Sequence, residues 1–270
     1  MNIFEFQAHD PQLQAEVQDA GTRQVVISYC FSQEPSASGF LHAASRFASA
    51  DLMQNCVPSA SEVRRSHLPA TPRMDPQTTH LLYLHGFRSS PRSTKARLVA
   101  QHVAKQHPNL EWWCPQLPPS PHDAIDMVMK GIAHWPRKSM AVIGSSLGGF
   151  YATYVAGMTR CRAVLLNPAV HPARDLTRYI GDQTVWHDPA EHFYFRPEYI
   201  HELRAMEVGP LTRPERVFAV IAKGDEALDW HEMSARYPDS NIKLLEDGDH
   251  ALSDFEKAHL DDVMAFINPV

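Results

Sequence analysis

The sequence predicts an α/β fold, with a mostly parallel sheet of about six strands and helices on both faces of the sheet. Two observations lead to this prediction. From residue 80 onward, short apolar runs alternate with segments whose apolar residues recur at helical spacing, and this alternation is typical of a parallel sheet joined by crossover helices. The apolar runs, of which His80–Leu84 is the clearest, are also nearly continuous, as expected for strands buried on both faces.

The first half of this region is predicted to hold two strand–helix pairs. After the strand His80–Leu84, Ser93 is the predicted cap of a helix with apolar residues at i, i+3, i+4 and i+7. A second strand over residues 110–114 leads to Ser120, the predicted cap of a second helix. Pro121 then stands where proline suits a first helical turn, and an acid three residues after the cap strengthens the signal.

The second half continues the alternation to the end of the sequence. An apolar run that begins at Ala141, and further runs over residues 161–166, 216–222 and 241–245, are the remaining predicted strands. Residues 253–256 match a capping box, which predicts the start of a final helix. In a sheet of this kind, functional sites lie at the carboxyl ends of the strands.

Residues 1–77 differ in composition from the rest and are predicted to form a poorly ordered extension of a domain that spans residues 78–270. Residues 23–31 could form one strand. Residues 36–76 are rich in Ala, Ser, Pro and Arg and have no sustained hydrophobic period, which indicates loop or disorder. Met74 stands just ahead of the first convincing strand, so two interpretations stay open. Either the extension belongs to the protein, or the biological start is Met74.

Residues 171–213 interrupt the alternation of strands and helices with a segment rich in aromatic residues and histidine. An insertion over the strand ends is where a lid or a wall of a substrate site would lie, so we predict a lid-like insertion. The alternative is a surface excursion without a functional role. Its histidines His187 and His192 lack a recognised metal-ligand spacing, and no metal site is predicted there.

The composition argues against several classes of function. The chain of 270 residues has a net charge of −6 and 44% hydrophobic residues, and without a basic stripe it is not expected to bind nucleic acid. Its four cysteines are far apart in sequence, so neither a disulfide framework nor a zinc site is predicted, and free thiols in a reducing compartment are the simple explanation. No metal or organic cofactor is predicted.

Targeting and membrane signals are not recognised in the sequence. The N-terminal residues include Glu5 and Asp10 and lack the charged-then-apolar layout of a signal peptide. No apolar run approaches the length needed to span a bilayer. We therefore expect a cytoplasmic protein with no membrane partner, and the sequence does not specify an oligomeric state.

The segment Gly144-Ser145-Ser146-Leu147-Gly148 lies between a predicted strand and a predicted helix. Gly-x-Ser-x-Gly in this context is typical of a nucleophile elbow, in which the central serine sits on a strained turn and the glycines let neighbouring backbone pass closely. Ser146 is therefore the candidate nucleophile. The N–H of Leu147, at the start of the helix, is a candidate donor to an oxyanion. The alternative is a Gly/Ser-rich loop without a chemical role.

Ser146, Asp225 and His250 each follow a different predicted strand. Serine needs an adjacent base and a carboxylate that orients the base, and the chain order Ser…Asp…His is that of the α/β-hydrolases. His250 is preferred among the 16 histidines because it lies on a Gly-containing loop between the last strand and a predicted helix. Asp225 is preferred as the acid because it directly follows its strand, and Asp229, one helical turn later, stays open as an alternative.

The second oxyanion donor is predicted on the loop after the first strand, where His85, Gly86 and Phe87 follow one another. We interpret His85 as a residue that shapes this loop. The N–H of Phe87 could then join that of Leu147 in holding an oxyanion.

Five motifs carry a resemblance to a known family. They are Leu-His-Gly-Phe-x-Ser-Ser-Pro at 84–91, Gly-Ser-Ser-Leu-Gly-Gly at 144–149, Asn-Pro-Ala-Val at 167–170, Gly-Asp-Glu-x-Leu-Asp at 224–229 and Gly-Asp-His at 248–250. Together they resemble the YqiA/YcfP-type esterases of bacteria, which are small α/β-hydrolases, over about residues 78–268. The resemblance implies a single-domain serine esterase for carboxylic ester or thioester acyl groups, with Ser146, Asp225 and His250 as its triad. The long N-terminal segment departs from the compact pattern of that family.

These observations predict a serine esterase that hydrolyses small-molecule carboxylic acyl esters through an acyl-enzyme. A thioesterase on the same triad, acting on a substrate such as an acyl-CoA, is one alternative. A non-catalytic binding protein on a hydrolase scaffold is another, and labelling of Ser146 by a fluorophosphonate would distinguish it from the enzymes.

Overall fold

The structure is a computed structural model of the 270-residue chain. It describes residues 76–186 and 188–270, together with two strands further upstream, β1 (Ala15–Gln18) and β2 (Gln24–Ile27). These two strands pair antiparallel as a hairpin. Strand β2 lies inside the strand predicted over residues 23–31.

The chain divides into two compact units, Met1–Ser66 and His67–Val270. The hairpin β1–β2 belongs to the first unit, and all elements below belong to the second. The loop predicted over residues 36–76 lies outside the described residues except for Pro76.

The described part of the second unit alternates strands and helices. Its strands are β3 (His80–Leu84), β4 (Glu111–Trp113), β5 (Met140–Ser145), β6 (Arg162–Leu166), β7 (Gly181–Val185), β8 (Asp188–Phe195), β9 (Val217–Ala222) and β10 (Asn241–Leu245). Its helices are α1 (Thr94–Gln106), α2 (Pro121–Gly131), α3 (Leu147–Thr159), α4 (Pro172–Asp175), α5 (Glu198–Ala205), α6 (Trp230–Arg236), α7 (Phe255–Ala258) and α8 (Leu260–Ile267).

Six of these strands form one parallel sheet in the order β4-β3-β5-β6-β9-β10. This confirms the predicted parallel sheet of six strands. Because all six strands run parallel, the carboxyl ends of β5, β9 and β10 lie along one edge of the sheet. The loops that follow these strands are therefore neighbours.

Side chains from opposite faces of the sheet pack into two buried clusters. In β3, Leu82 and Leu84 belong to one cluster, and Leu81 and Tyr83 belong to the other, because side chains alternate along a strand. The first cluster includes residues of α2, α3 and α5, and the second includes residues of α1, α7 and α8. Burial of each large apolar side chain contributes about 1.5–3 kcal/mol, so both faces hold the sheet in place.

The predicted helix caps have three different outcomes. Ser120 caps α2 as predicted, since its hydroxyl accepts the N–H of Asp123 at 3.1 Å. Ser93 stands at the N-cap position of α1, but its side chain accepts no capping hydrogen bond. The capping box predicted at residues 253–256 is wrong. Helix α7 begins at Phe255, and the N–H and hydroxyl of Ser253 donate instead to the Asp249 carboxylate, at 2.8 and 2.5 Å.

The segment over residues 171–213 contains α4, a hairpin of β7 and β8, and α5. The two strands of the hairpin pair antiparallel, with an irregularity between Thr184 and Val185. The hairpin lies outside the six-stranded sheet. Within the described part of the chain, no helix combines the length and the apolar character needed to cross a membrane.

Candidate active site

Ser146 lies on a sharp turn between a strand and a helix. Strand β5 ends at Ser145 and α3 begins at Leu147, and Ser146 itself has φ 56° and ψ −120°. A positive φ is strained for a residue with a Cβ. Backbone hydrogen bonds to the end of β6 and the loop after it hold the turn. The N–H of Ser146 donates to Leu166 O at 3.0 Å, and the carbonyl of Ser146 accepts the N–H of Ala169 at 3.0 Å.

Glycines on either side of Ser146 allow this turn to form. A Cβ placed on Gly144 would lie 2.1 Å from the carbonyl oxygen of Gly148. A Cβ placed on Gly148 would lie 2.0 Å from the carbonyl oxygen of Leu84. Both distances are far shorter than a van der Waals contact, so the first turn of α3 can pack on β3 and β5 only with glycine at these positions.

The structure brings Ser146, Asp225 and His250 into one chain of hydrogen bonds. Nε2 of His250 lies 3.0 Å from Oγ of Ser146, and Nδ1 of His250 lies 2.8 Å from Oδ2 of Asp225. The Asp225 side chain is fully buried, whereas that of His250 is 24% exposed. The arrangement suits proton transfer from the serine hydroxyl to the imidazole, since both separations are hydrogen-bond distances.

The two candidate acids occupy different environments. The second carboxylate oxygen of Asp225 accepts the N–H groups of Ala227 and Leu228, both at 2.8 Å, which fixes the carboxylate while Oδ2 faces His250. Asp229 is the N-cap of α6 and accepts the N–H of His231 at 2.8 Å. This backbone hydrogen bond lowers the pKa of the Asp229 carboxyl. The structure therefore places Asp225 at the imidazole and Asp229 at a helix start.

Three side chains hold the loop that carries His250. Asn167, buried after β6, donates from Nδ2 to the carbonyl oxygens of Asp249 and His250 at 3.1 and 3.3 Å, while its Oδ1 accepts the N–H of Ala222 at 2.8 Å. Glu226 accepts the N–H of His250 at 2.9 Å. Lys95 donates to the carbonyl of the following residue, Ala251.

Neither Asn167 nor Lys95 was identified as a site residue from the sequence, although Asn167 belongs to one of the five motifs. The signal for Asn167 was its place directly after a buried strand. Lys95 is half-buried, and burial lowers the pKa of its amine to about 8.

The loop after β3 passes close to Ser146. A Cβ on Gly86 would lie 3.1 Å from Cβ of Ser146. His85 is buried, and its Nε2 accepts the N–H of Leu117 at 3.1 Å. Nδ1 therefore carries the ring hydrogen, directed at the carbonyl of Gly86 3.0 Å away. The predicted donor Phe87 follows Gly86 on this loop, and the other predicted donor, Leu147, directly follows Ser146.

Two cavities of about 320 Å³ each border this loop. We call the first the serine cavity, because Ser146 and His250 line it together with Lys95, Trp186 and Glu226. We call the second the apolar cavity, because Met127, Leu147, Tyr151, Val185 and Phe193 line it. Residues 85–87 and Ser89 line both cavities.

The segment predicted to be lid-like supplies walls to both cavities and is tied to the loop after β3. Nε of Arg88 donates to Thr184 O at 2.6 Å, the N–H of Trp186 donates to Arg88 O at 2.8 Å, and the Arg88 guanidinium lies 4.2 Å from the Trp186 ring centroid. The Phe87 ring contacts Phe193 and the neighbouring aromatic rings of the insertion. The hairpin β7–β8 therefore packs on the loop that borders Ser146.

The two cysteines among the residues that the structure describes, Cys114 and Cys161, are poorly suited to nucleophilic chemistry. Burial raises the pKa of the Cys114 thiol to about 12 and that of the Cys161 thiol to about 11, so both are thiols at neutral pH. Among the described residues, no group of three or more His, Cys, Asp or Glu side chains could hold a metal ion. His192 lies on β8, and His187 is outside the described residues.

The sheet and the serine turn define the class of protein. Six parallel strands with helices on both faces, and a strand–turn–helix elbow after β5, are the features of the α/β-hydrolase fold. The chain belongs to the family described as "Uncharacterised protein family (UPF0227)", whose sequence profile matches residues 80–268. This is the YqiA/YcfP-type family, and the match confirms the resemblance carried by the five motifs.

Solved structures with a similar fold share little sequence with this chain. A putative hydrolase from Agrobacterium vitis S4 is 17% identical with a TM-score of 0.57, over 71% of this chain and 91% of that one. Mouse α/β-hydrolase domain-containing protein 10 is 16% identical with a TM-score of 0.54, over 71% and 88%. Est1E from Butyrivibrio proteoclasticus, with ferulic acid bound, is 15% identical with a TM-score of 0.53, over 73% and 90%. At these identities the likeness shows a shared fold.

Proposed function

We propose that this protein is a serine hydrolase that cleaves carboxylic esters of small molecules. The observation that carries the proposal is the hydrogen-bonded chain from Ser146 through His250 to the buried Asp225, with separations of 3.0 and 2.8 Å. Serine on a strained elbow, with a base and an orienting acid in this order, is the arrangement that activates a hydroxyl for acyl transfer.

In the acylation step, Oγ of Ser146 attacks the ester carbonyl carbon while its proton passes to Nε2 of His250. The carbonyl oxygen becomes an oxyanion that accepts the N–H groups of Leu147 and Phe87. Asp225 holds Nδ1 of the ring and stabilises the imidazolium. The carbon–oxygen bond to the alcohol then breaks, and the leaving oxygen takes the proton from Nε2.

Water completes the cycle by the same route. His250 removes a proton from a water molecule, which attacks the acyl-enzyme carbonyl, and the second tetrahedral intermediate collapses to free acid and Ser146. Every step uses side chains and backbone N–H groups of this chain, and the scheme calls for no metal or organic cofactor.

Replacement of two adjacent serines tests the proposal. We expect Ser146→Ala to abolish hydrolysis of nitrophenyl butyrate, because the nucleophile is lost. Ser145→Ala should retain a substantial part of the activity, since Ser145 is the last residue of β5 and lies outside the hydrogen-bonded chain. Full activity in the Ser146→Ala protein would contradict the proposal, and so would equal losses in the two variants.

A comparison of butyryl ester and butyryl thioester distinguishes the two acyl-transfer alternatives. The proposal predicts a higher kcat/KM for the oxygen ester when the two leaving groups are matched in pKa. The opposite preference would favour a thioesterase on the same residues. Binding of either substrate without turnover would favour a binding protein.

A further inference from the structure

The two cavities beside the loop after β3 are lined by different residues of the proposed mechanism. Ser146 and His250 line only the serine cavity, whereas Leu147 lines only the apolar cavity. Gly86 and Phe87 line both. Of the two proposed oxyanion donors, Phe87 therefore lies where the two cavities meet, and Leu147 lies on the side of the apolar cavity, next to Ser146.

The direction of proton transfer assigns an arm of the substrate to each cavity. In the tetrahedral intermediate, the former carbonyl carbon bears four groups: Oγ of Ser146, the oxyanion, the leaving oxygen and the α carbon of the acyl chain. The leaving oxygen must lie within hydrogen-bond reach of Nε2 of His250, which protonates it. The leaving group therefore extends into the cavity that His250 lines. The acyl chain then extends in the other direction, past the oxyanion donors.

From this geometry we infer that the apolar cavity binds the acyl chain of the substrate and the serine cavity binds the leaving group. The inference rests on the proposed serine hydrolysis and adds to it the class of substrate, an ester of an unbranched, uncharged, medium-chain acid.

The walls of the two cavities agree with this assignment. The acyl arm would contact Met127, Tyr151, Val185 and Phe193, whose side chains match a hydrocarbon chain. Two charged residues, Arg88 and the exposed Glu191, also line this cavity, and the Arg88 guanidinium is engaged by Thr184 and the Trp186 ring.

More of the residues that line the serine cavity are polar. Lys95 and Glu226 line it together with Thr94 and the exposed Trp186 ring, and both charged groups also hold the His250 loop, Lys95 through Ala251 O and Glu226 through the N–H of His250. These groups suit a polar alcohol better than a hydrocarbon chain, because hydroxyl groups can hydrogen-bond to both charges.

The size of the apolar cavity limits the length of the acyl chain that it can hold. Its volume of about 320 Å³ is at the small end of the roughly 300–1,000 Å³ that ligand pockets occupy. The cavity therefore suits a short or medium-length acyl chain better than a long one. Within that limit each methylene that leaves water should raise kcat/KM by up to about fourfold.

Nitrophenyl esters from acetate to dodecanoate, with one constant leaving group, test the assignment. Met127 is the residue to change, because it is 36% exposed on α2 and a larger side chain can be added there without unpacking the core. We expect Met127→Trp to lower the octanoate-to-acetate ratio of kcat/KM by about tenfold or more. Met127→Ala should move the preferred chain to longer acids.

Met158→Trp is the matched control. Met158 is 54% exposed on α3 and lines neither cavity, so the same chemical change there should leave the octanoate-to-acetate ratio as in the wild type. The thermal midpoints of all variants should stay close to that of the wild type, and Met127→Ala keeps the test open if the tryptophan variant unfolds.

A second series completes the test with butyrate esters of different alcohols. Trp186→Ala should change the ranking of alcohols and leave the acyl-chain ratio as it was, because Trp186 lines only the serine cavity. The assignment is overturned if Met127→Trp and Met158→Trp give the same acyl ratio, or if Trp186→Ala is the variant that shifts it. A wild type that hydrolyses no acetate ester, or a Ser146→Ala protein as active as the wild type, would instead contradict the proposed function.

Discussion

At the scale of single residues, the position of the imidazole depends on a side chain that has no part in the chemistry. Asn167 is fully buried with φ 42°, a left-handed conformation that asparagine tolerates better than most residues. Its amide joins the end of β9, through the N–H of Ala222, to the carbonyls of Asp249 and His250. Asn167 is therefore a positioning residue for His250.

Asn167→Asp tests this role without changing the size of the side chain. The acceptor for Ala222 remains, but the two donors are lost and a carboxylate faces two carbonyl oxygens. A displacement of the base by about 1 Å can cost on the order of 10²-fold in rate, so we expect kcat and the rate of fluorophosphonate labelling to fall together by about that factor, with little change in KM.

Thr153→Val is the control for loss of a buried hydrogen bond. Thr153 Oγ1 lies 2.9 Å from the Tyr237 hydroxyl and bonds to Gly149 O, away from the His250 loop. This variant should lose about 1–3 kcal/mol of stability and keep its labelling rate. Normal labelling of the Asn167→Asp protein would rule out the positioning role.

The choice between Asp225 and Asp229 is also a matter of single residues. Asp225→Asn should lower kcat by on the order of 10⁴, as loss of the orienting carboxylate does in serine proteases. Asp229→Asn should change kcat little, because asparagine caps a helix as well as aspartate does. Steady-state hydrolysis of nitrophenyl butyrate measures both. Small and equal losses would mean that another group orients His250.

At the scale of elements, the strand–turn–helix around Ser146 depends on close approach of α3 to β3. Gly148→Ala would set a Cβ 2.0 Å from the Leu84 carbonyl oxygen, and backbone cannot move away as a flexible side chain can. We expect a loss of about 3 kcal/mol or more in the free energy of unfolding, at the upper end of overpacking effects. Chemical denaturation gives this value directly.

Gly157 provides a control on the same helix. A Cβ there would meet nothing closer than 3.8 Å. Gly157→Ala should therefore raise the free energy of unfolding by about 0.5–1 kcal/mol, the helix propensity difference between the two residues. If both variants lost the same stability, close approach would not be the reason for glycine at position 148.

Local sequence signals predicted a feature correctly where the contacts that form it lie within a few residues of each other in the chain. The cap at Ser120 needs only its own turn, and it was predicted correctly. The cap at residues 253–256 failed because Asp249, on the preceding loop, binds Ser253. The hairpin β7–β8 was predicted only as part of an insertion. Its position depends on Arg88, almost a hundred residues earlier in the chain, and no local pattern encodes such a contact.

At the scale of the whole molecule, the second unit is closed by contacts between its first and last described residues. The N–H of Thr78 donates to Asn268 O at 2.8 Å, its hydroxyl donates to Ile267 O at 2.6 Å, and the N–H of Val270 donates to Thr78 O at 3.0 Å. Thr78 is buried. Thr78 therefore joins the first described residues of this unit to its last ones.

A protein that begins at Met74 should fold and hydrolyse esters, because it keeps Thr78, the six-stranded sheet and all proposed site residues. A protein that begins at His80 loses the contacts of Thr78, and its thermal midpoint should be lower. Thermal unfolding and ester turnover of the two proteins and the full chain test this. A midpoint of the Met74 protein about 10 °C or more below that of the full chain, equivalent to a few kcal/mol, would show that the extension is part of the fold.

The parallel sheet and its strands could be predicted from the sequence because burial on both faces leaves a continuous apolar run. The candidate triad residues could be named because each lies on the loop or turn that follows such a run, at most five residues past its end. The cavities could not be predicted. The walls of the apolar cavity come from α2, α3 and the hairpin at once, and those of the serine cavity from β3, α1, β5 and several loops, so both depend on the packing of elements that are distant in sequence. The support from Asn167 was missed for the same reason.

The most direct measurement of the central claim is covalent labelling of the full chain by a fluorophosphonate, followed by mass spectrometry of the intact protein and its peptides. An activated serine attacks the phosphorus and displaces fluoride from it, so we predict one adduct per chain, located on Ser146, with no adduct on the Ser146→Ala protein and much slower labelling of Asp225→Asn. An adduct on a different residue, or ester hydrolysis that continues while Ser146 is fully labelled, would contradict the assignment of Ser146 as the nucleophile.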